Sequence, residues 1–225
     1  MMTNYYSEKL SAKKLRRVYE VVPPRVRQYL DAELDFTLGK IQPSDTVLEL
    51  GCGYGRVLDH LAEKAAITVG VDTSLGSLRI VRSVQIGELV CLPAMMDASQ
   101  LGLRDDCFDV VVCIQNGISA FNVDRLQLLR EAIRVTRRGG IVLLSTYAEE
   151  FWNDRLRWFE LQAAEGLLGE IDYDRTGDGN IVCKDGFTAS TVGPGEFRQL
   201  AEKLGVRAAF TTVDHSSLFC EITVA

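Results

Sequence analysis

The sequence predicts an α/β fold in which helices cover both faces of a mostly parallel, seven-stranded sheet. β-like and helical segments alternate between residues 46 and 145, which is typical of parallel strands joined by crossover helices. The segment Phe108–Ile114 is apolar almost throughout, as expected of a strand that is covered on both faces. Segments 206–213 and 217–224 are joined by a connection too short for a parallel crossover, so they are predicted to form an antiparallel C-terminal hairpin.

The boundaries of several elements follow from helix-ending and helix-capping residues. Pro23 and Pro24 end the first helix and suit the first turn of the second, which Gly39 closes as a C-cap. Ser74 is the expected N-cap of a later helix. The predicted strands are 46–50, 67–71, 89–95, 108–114, 141–145, 206–213 and 217–224. The predicted helices are 8–20, 24–38, 55–65, 75–84, 124–136 and 197–204.

One domain, residues 1–225, is expected, because a chain of this length with 47% hydrophobic residues can bury one sizeable core. Residues 148–194 form an insertion with an aromatic-rich helix and two short β-like runs. Because this insertion follows the carboxyl end of a strand, it can fold over the ligand crevice of the sheet. Residues 1–40 are predicted to form an N-terminal helical lid.

Composition excludes several classes of protein. The formal charge of −6 argues against nucleic acid as the main partner, although the first 27 residues are basic. That basic stretch is either a solvated helix face or a surface that attracts an anionic substrate. The sequence contains neither a long apolar run nor an N-terminal apolar signal region, which predicts a cytoplasmic protein without a membrane span. Six cysteines without a C-x-x-C pair and two isolated histidines predict reduced thiols and no metal site.

The most informative segment is Val47–Leu58, which reads as a buried strand, a turn through three alternating glycines and the start of a helix. Such a turn exposes backbone N–H groups to a small polar ligand at a helix N-terminus. Asp72 ends the next apolar run, 21 residues after Gly51, where a carboxylate can bind ribose hydroxyls. The combination predicts a nucleoside-binding site.

Two other interpretations of the glycines are weaker. A tight turn without a ligand would not explain the flanking strand, the helix and Asp72 together. A dinucleotide site needs a small residue where this sequence has Arg56, because helix and strand pack closely there.

Five segments together carry a resemblance to a known family. In this order and spacing the sequence resembles class I S-adenosylmethionine-dependent methyltransferases of the small-molecule type, which have a three-layer α/β/α Rossmann-like fold. The resemblance covers about residues 46–145 and the closing antiparallel strands. The matching segments are Val47–Gly55, Gly70–Asp72, Met96–Ala98, Phe108–Val111 and Arg138–Leu144.

The resemblance implies a role for each matching position. The Gly51–Gly55 backbone, Cys52 and Gly53 included, would hold the methionine part of S-adenosylmethionine, or of its product S-adenosyl-L-homocysteine. The other implied contacts are Glu49 near the amino group, Asp72 on both ribose hydroxyls, Thr73 beside the adenine, Asp97 on the adenine amino group, Met96 and Ala98 beside the ring, and Gln115 and Asn116 where donor and acceptor meet.

The implied chemistry is an in-line displacement that moves the sulfonium methyl onto a small-molecule acceptor. Proximity and water exclusion can supply most of the catalysis, so a Ser/His/Asp set is not required. Gln115, Asn116 and Tyr147 are the catalytic candidates. Alternatives are a regulatory protein that binds the donor without chemistry and another transferase, such as an aminopropyl transferase, that uses the same donor site.

The residues after the fourth strand narrow the range of expected methyl acceptors. The Pro-Pro pattern of exocyclic-amine methylases is absent, and amides stand where metal-assisted catechol chemistry would want acids. A nucleic-acid acceptor and a metal are therefore not expected. Aromatic residues are candidates for the lid and the acceptor pocket, with core packing as the alternative. They are Tyr5, Tyr6 and Tyr19 for the lid, and Tyr147, Trp152, Trp158 and Tyr173, together with Asp172, for the pocket in the insertion.

Overall fold

A computed structural model of the protein describes Tyr5 and residues 9–84 and 91–225. Its strands are β1 (Thr46–Leu50), β2 (Ile67–Asp72), β3 (Cys91–Met95), β4 (Phe108–Cys113), β5 (Thr136–Tyr147), β6 (Ile181–Val182), β7 (Thr188–Ala189), β8 (Ala208–Val213) and β9 (Ser217–Thr223). Its α-helices are α1 (Lys13–Glu20), α2 (Pro24–Leu38), α3 (Leu58–Lys64), α4 (Leu75–Val84), α5 (Gly117–Ala120), α6 (Arg125–Val135), α7 (Trp152–Ala164) and α8 (Pro194–Leu204).

The main sheet has seven strands in the order β3-β2-β1-β4-β5-β9-β8. The first five strands in this order are parallel, whereas β9 pairs antiparallel with both β5 and β8. Strand β1 lies between β2 and β4, so the chain reverses its direction of travel across the sheet beside β1. In open α/β sheets, ligands bind outside the carboxyl ends of the strands at this switch point. The predicted fold class is confirmed.

Four elements begin three or more residues away from their predicted starts. Helix α1 begins at Lys13, not at residue 8. Strand β5 begins at Thr136, not Ile141, because Thr136 pairs with Phe108 and the register then shifts before Val110. Helix α3 begins at Leu58, not Gly55, because the glycine turn continues further into the sequence. Helix α8 begins at Pro194, with proline in its first turn. Residues 89 and 90 of the third predicted strand lie outside the described part of the chain.

The capping residues are where the sequence places them. The Ser77 N–H donates to Ser74 Oγ over 3.2 Å at the start of α4. Gly39 caps α2 in a right-handed conformation, with φ at −62°, so this cap does not use the left-handed geometry open to glycine.

The apolar side chains form separate clusters on the two faces of the sheet and a third cluster beyond it. Helices α6 and α8 pack on one face, and α2 and α3 pack on the other, as the alternation of side chains along each strand requires. The third cluster joins the N-terminal segment to the insertion 148–194. It includes Leu10, Val18, Tyr29, Phe151, Trp158, Phe159 and Phe187.

The insertion itself consists of a short 3₁₀ turn, α7 and the small β6–β7 ribbon. Strands β6 and β7 pair antiparallel within the predicted β-like runs 180–184 and 187–192. None of the helices in the described part of the chain has both the length and the hydropathy of a membrane span.

Candidate functional site

A cavity of about 940 Å³ lies where the carboxyl ends of β1, β2, β4 and β5 meet the N-terminal helices and the insertion. This volume is near the upper end of the range of about 300–1,000 Å³ that is usual for small-molecule sites. One part of its wall comes from the loops that follow the strands. The other part comes from α1, α7 and the residues next to them.

The glycine turn after β1 is built from residues in left-handed conformations. The φ angles of Gly51, Gly53 and Gly55 are +77°, +55° and +91°. A Cβ atom at Gly51 would lie 2.4 Å from the ring of Phe121, so both the conformation and the space require glycine there. The N–H groups of Gly51 and Cys52 donate to the Val71 carbonyl oxygen over 2.8 and 3.0 Å. The turn is thereby fixed against the end of β2.

Asp72 connects this turn to the next loop. One carboxylate oxygen accepts from the Gly53 N–H over 2.9 Å, and the other accepts from the Ser74 N–H over 2.7 Å. Burial raises the pKa of Asp72, and the hydrogen bonds from the backbone partly offset that rise. A carboxylate has about four lone-pair sites, so Asp72 retains acceptor capacity for two ligand hydroxyls.

Glu49, at the end of β1, is the buried acid of the cavity wall. Glu49 is 5% exposed, and its Oε2 has no hydrogen-bond partner among the described residues. Burial raises the pKa of Glu49 to about 8, although the positive charge of Arg56 opposes this rise. A buried, unpartnered carboxyl oxygen suits a cationic ligand group such as an ammonium. The site therefore fits the amino group of S-adenosylmethionine.

The loop after β3 supplies a third acid. Asp97 Oδ1 accepts from both the backbone N–H and the hydroxyl of Ser99, over 2.8 and 2.7 Å. These bonds hold the loop in one conformation. The flanking residues that the resemblance associates with an adenine also line the cavity. They are Thr73, Met96 and Ala98.

The residues after β4 have an unusual backbone. Gln115 and Asn116 have φ angles of 56° and 61°, which are uncommon for residues other than glycine and cluster at functional sites. Asn116 Nδ2 donates to the Ser190 carbonyl over 2.8 Å, and its Oδ1 accepts from Thr146 over 2.9 Å. Asn116 therefore connects β4 to the insertion. Gln115 Nε2 has no hydrogen-bond partner among the described residues, and Gln115 lines the cavity.

The wall contributed by the helices is apolar and aromatic. The Trp158 Nε1–H donates to the Val18 carbonyl over 3.2 Å, which joins α7 to α1. Tyr147 lines the cavity, and its ring centre lies 4.5 Å from the Arg155 guanidinium carbon. The lining residues of this wall are Leu10, Leu15, Val18, Tyr19, Tyr147, Trp158, Phe159, Gln162 and Ala189.

Several sequence candidates lie elsewhere. Gly55 shapes the turn but does not line the cavity; a Cβ there would lie 3.1 Å from Val81 Cγ2. Tyr5 donates to Asp185 over 2.6 Å. Tyr173 is 63% exposed and donates to Glu160, so it is a surface residue. Asp172 and Trp152 do not line the cavity either, whereas Tyr6 lies outside the described residues.

Two residues of the wall had no assigned role in the sequence analysis. Arg56 lies over the ring of Tyr19, 4.7 Å from its centre, and its Nε and Nη2 are buried without a hydrogen-bond partner in the described structure. Gln162 is 2% exposed, and its Nε2 is likewise unpartnered. Arg56 directly follows Gly55, so its place beside the glycine turn was the signal that could have found it. Gln162 has no such local signal, because the packing of α7 against α1, which is distant in sequence, brings it to the cavity.

Thiolate chemistry is not indicated at the site. Burial raises the pKa of Cys52 far above its usual value, so the thiol stays protonated. The described residues contain no group of three or more histidine, cysteine or acidic side chains that could hold a metal ion.

The sheet order, the glycine turn, the acid after β2 and the antiparallel β9–β8 edge define a class I methyltransferase fold. The comparison with protein families agrees, because residues 48–144 match the family described as "Methyltransferase domain". This segment of the chain, somewhat less than half of its length, is therefore similar to methyltransferase domains.

Curated relatives have methyltransferase names. The chain is 27% identical over 142 residues to 2-methyl-6-phytyl-1,4-hydroquinone methyltransferase of Synechocystis, a match that covers 59% of this chain and 42% of the relative. It is 32% identical over 112 residues to malonyl-[acyl-carrier protein] O-methyltransferase of Yersinia pestis, covering 50% of this chain and 40% of the relative. The chain thus spans about two fifths of the length of these relatives.

A solved structure matches over almost the whole chain. It is magnesium protoporphyrin IX methyltransferase from Synechocystis with bound S-adenosylhomocysteine, with a TM-score of 0.62 and 16% identity. The match covers 98% of this chain and 97% of that one. At this identity the likeness shows the fold.

Proposed function

We propose that this protein transfers a methyl group from S-adenosylmethionine to a small, mostly apolar molecule held beneath the N-terminal helices and the insertion. The observation that carries the proposal is that one cavity has two different parts. The first, here called the cradle, is polar and lies at the strand ends, with Glu49, Gly51–Gly53, Asp72 and Asp97. The second, here called the acceptor wall, is mainly apolar and aromatic, with Tyr19, Tyr147, Trp158 and Phe159. A methyl transfer needs both ligands side by side in a site that excludes water.

The cradle offers a group for each polar part of the donor. Glu49 would bind the ammonium, and the backbone of Gly51–Gly53 would hold the methionine part. Asp72 would bind the ribose hydroxyls, and Asp97 would bind the adenine amino group. The free oxygen of Glu49 and the remaining lone pairs of Asp72 support these roles.

The bound donor supplies an activated methyl group. The residues of this chain would orient the acceptor beside the methyl group and exclude water. This orientation raises the effective concentration of the acceptor at the reacting methyl group. Gln115 is the best placed of the three catalytic candidates to contact an acceptor, because its amide lacks a hydrogen-bond partner in the described structure. Asn116 serves to hold the backbone in place, and the phenol of Tyr147 can hold a proton at the cavity wall.

The names of several relatives support a small-molecule acceptor. They include a hydroquinone methyltransferase, a demethylmenaquinone methyltransferase and a ubiquinone biosynthesis O-methyltransferase. The aromatic wall of this cavity is compatible with molecules of that general type.

Calorimetry with S-adenosylhomocysteine, followed by transfer assays with methyl-labelled S-adenosylmethionine and a panel of phenols, quinols and acyl acids, tests the proposal. We expect binding at one site per chain and label transfer to at least one panel class. The absence of any binding would overturn the donor site. Binding without transfer across the panel would favour the regulatory alternative.

A further inference from the structure

Among the fully buried side-chain atoms of the described cavity-lining residues, unpartnered hydrogen-bond donors outnumber unpartnered acceptors. The unpartnered atoms of these described residues are Glu49 Oε2, Arg56 Nε and Nη2, Gln115 Nε2 and Gln162 Nε2. Only the Glu49 atom is an acceptor when ionised. Buried polar groups normally have partners, so the ligands of this cavity should supply mainly acceptor atoms.

These unpartnered groups belong to different parts of the wall. Glu49 and Arg56 flank the glycine turn, and the charge of Arg56 acts on Glu49, so both belong to the cradle. Gln162 comes from α7 in the insertion, which contributes no residue to the cradle. An acceptor molecule held beneath the insertion is therefore the natural partner of Gln162.

The surroundings of Gln162 limit the shape of that molecule. Trp158 and Phe159 precede it by four and three residues on α7, which places all three side chains on one helix face. Tyr19 and Tyr147 add two further rings to the same cavity wall. Aromatic side chains favour flat, apolar ring systems through stacking and edge-to-face contacts.

Building on the proposed function, we propose that the methyl acceptor is a flat, largely apolar ring compound that carries an oxygen atom, and that Gln162 Nε2 donates a hydrogen bond to this oxygen. Gln162 is then a specificity residue of the acceptor compartment. A ring compound without such an oxygen leaves the buried amide unpaired, which is how polar sites reject close analogues.

The test compares three probes that share a size: 2-naphthol, naphthalene and decahydro-2-naphthol. Binding is measured by equilibrium dialysis against the protein saturated with S-adenosylhomocysteine. In the wild type, we expect 2-naphthol to bind about tenfold more tightly than naphthalene, the size of one hydrogen bond. We also expect 2-naphthol to bind more tightly than its saturated counterpart, which cannot stack on the rings.

Gln162→Leu keeps the approximate shape and removes the donor. In this variant, we expect 2-naphthol and naphthalene to bind within about twofold of each other, because the hydrogen bond is lost. Gln199→Leu, an exposed glutamine on α8, is the matched control and should retain the wild-type preference. Gln162→Met provides a second variant if the leucine side chain disturbs folding, as judged by S-adenosylhomocysteine affinity.

The outcomes separate this inference from the proposed function. Loss of S-adenosylhomocysteine binding in the wild type would overturn the proposed function. Normal S-adenosylhomocysteine binding with equal affinity for 2-naphthol and naphthalene would overturn the acceptor class alone. An unchanged 2-naphthol preference in both Gln162 variants would overturn the role of Gln162.

Discussion

The two parts of the cavity wall are held together in different ways. The cradle depends on bonds between residues close in sequence: Asp72 accepts from Gly53, 19 residues earlier, and from Ser74, two residues later. The acceptor wall depends on distant partners, because Trp158 donates to Val18 across 140 residues. One part is made by the backbone geometry of turns, and the other by the packing of side chains.

This difference implies that the two parts respond differently to substitution. A change in the cradle should affect donor binding directly, because backbone groups and three acids would make the proposed contacts. A change in the acceptor wall should alter stability or acceptor choice and leave the donor site intact. The following predictions test that separation.

Gly51→Ala should have the largest effect. It places a side chain at a φ of +77° and puts its Cβ 2.4 Å from the Phe121 ring. The left-handed conformation and the overpacking together should lower the free energy of unfolding by about 2–5 kcal/mol. Gly139→Ala is a close control, since its φ is also +77° but a Cβ there meets nothing within 4 Å. Thermal unfolding of both variants isolates the clash, and equal losses would contradict it.

Asp72→Ala should nearly abolish donor binding. The change removes the proposed partner of two ribose hydroxyls and also the acceptor of the Gly53 and Ser74 N–H groups. We expect the dissociation constant of S-adenosylhomocysteine, measured by calorimetry, to rise about 100-fold. Glu202→Ala, an exposed acid on α8, should bind as the wild type does. Affinity close to wild type in Asp72→Ala would remove the ribose assignment.

The same contrast explains how much the sequence could predict. The strand ends, the glycine turn and Asp72 are encoded by short patterns with a local physical reason, and the mostly parallel sheet with its antiparallel hairpin follows from alternation and connection length. The spatial order of the strands was not predicted, because it depends on contacts between distant segments. The long β5 was missed because its first residues join the sheet through a register shift beside Phe108. No local pattern distinguishes such a shift from a loop.

The acceptor wall was predicted less well for a related reason. Tyr147 and Trp158 line the cavity, whereas Tyr5 binds Asp185 and Tyr173 is exposed. Aromatic residues in a helix or loop look alike in the sequence, and only the tertiary packing decides which ring faces the cavity. Gln162 was missed because a glutamine in a helix is ordinarily a surface residue.

Donor affinity should depend on pH through Glu49, with a moderate effect. The pKa of Glu49 is raised to about 8, so below this pH the free protein holds a proton that a bound ammonium would displace. Affinity for S-adenosylhomocysteine should rise about fivefold from pH 7 to pH 8 and then level off. Calorimetry in buffers of different ionisation enthalpy should show proton release, and Glu49→Gln should abolish both the release and the pH dependence.

The raised pKa of Glu49 also predicts how the stability of the protein depends on pH. Because the pKa of Glu49 is higher in the folded chain than its ordinary value of 4.5, the folded state binds more protons and loses stability as pH rises from about 4.5 to 8. Glu33, buried on α2 with its pKa raised by burial to about 7, acts in the same direction. Glu49→Gln should therefore unfold at a higher temperature than the wild type at pH 8. A lower unfolding temperature would show that ionised Glu49 stabilises the free protein.

Trp158→Phe should have the smallest effect and gives the sharpest test of the separation. The phenyl ring keeps an aromatic surface but loses the hydrogen bond to the Val18 carbonyl, a cost of about 1 kcal/mol that should lower the unfolding temperature by about 2–4 °C. Trp152→Phe leaves that bond in place and serves as the control. Affinity for S-adenosylhomocysteine should remain within about twofold of wild type, since the cradle is fixed by its own turns. If this affinity instead fell as far as in Asp72→Ala, the contact between α1 and α7 would have to be part of the donor site, and the two parts of the wall would form one cooperative unit.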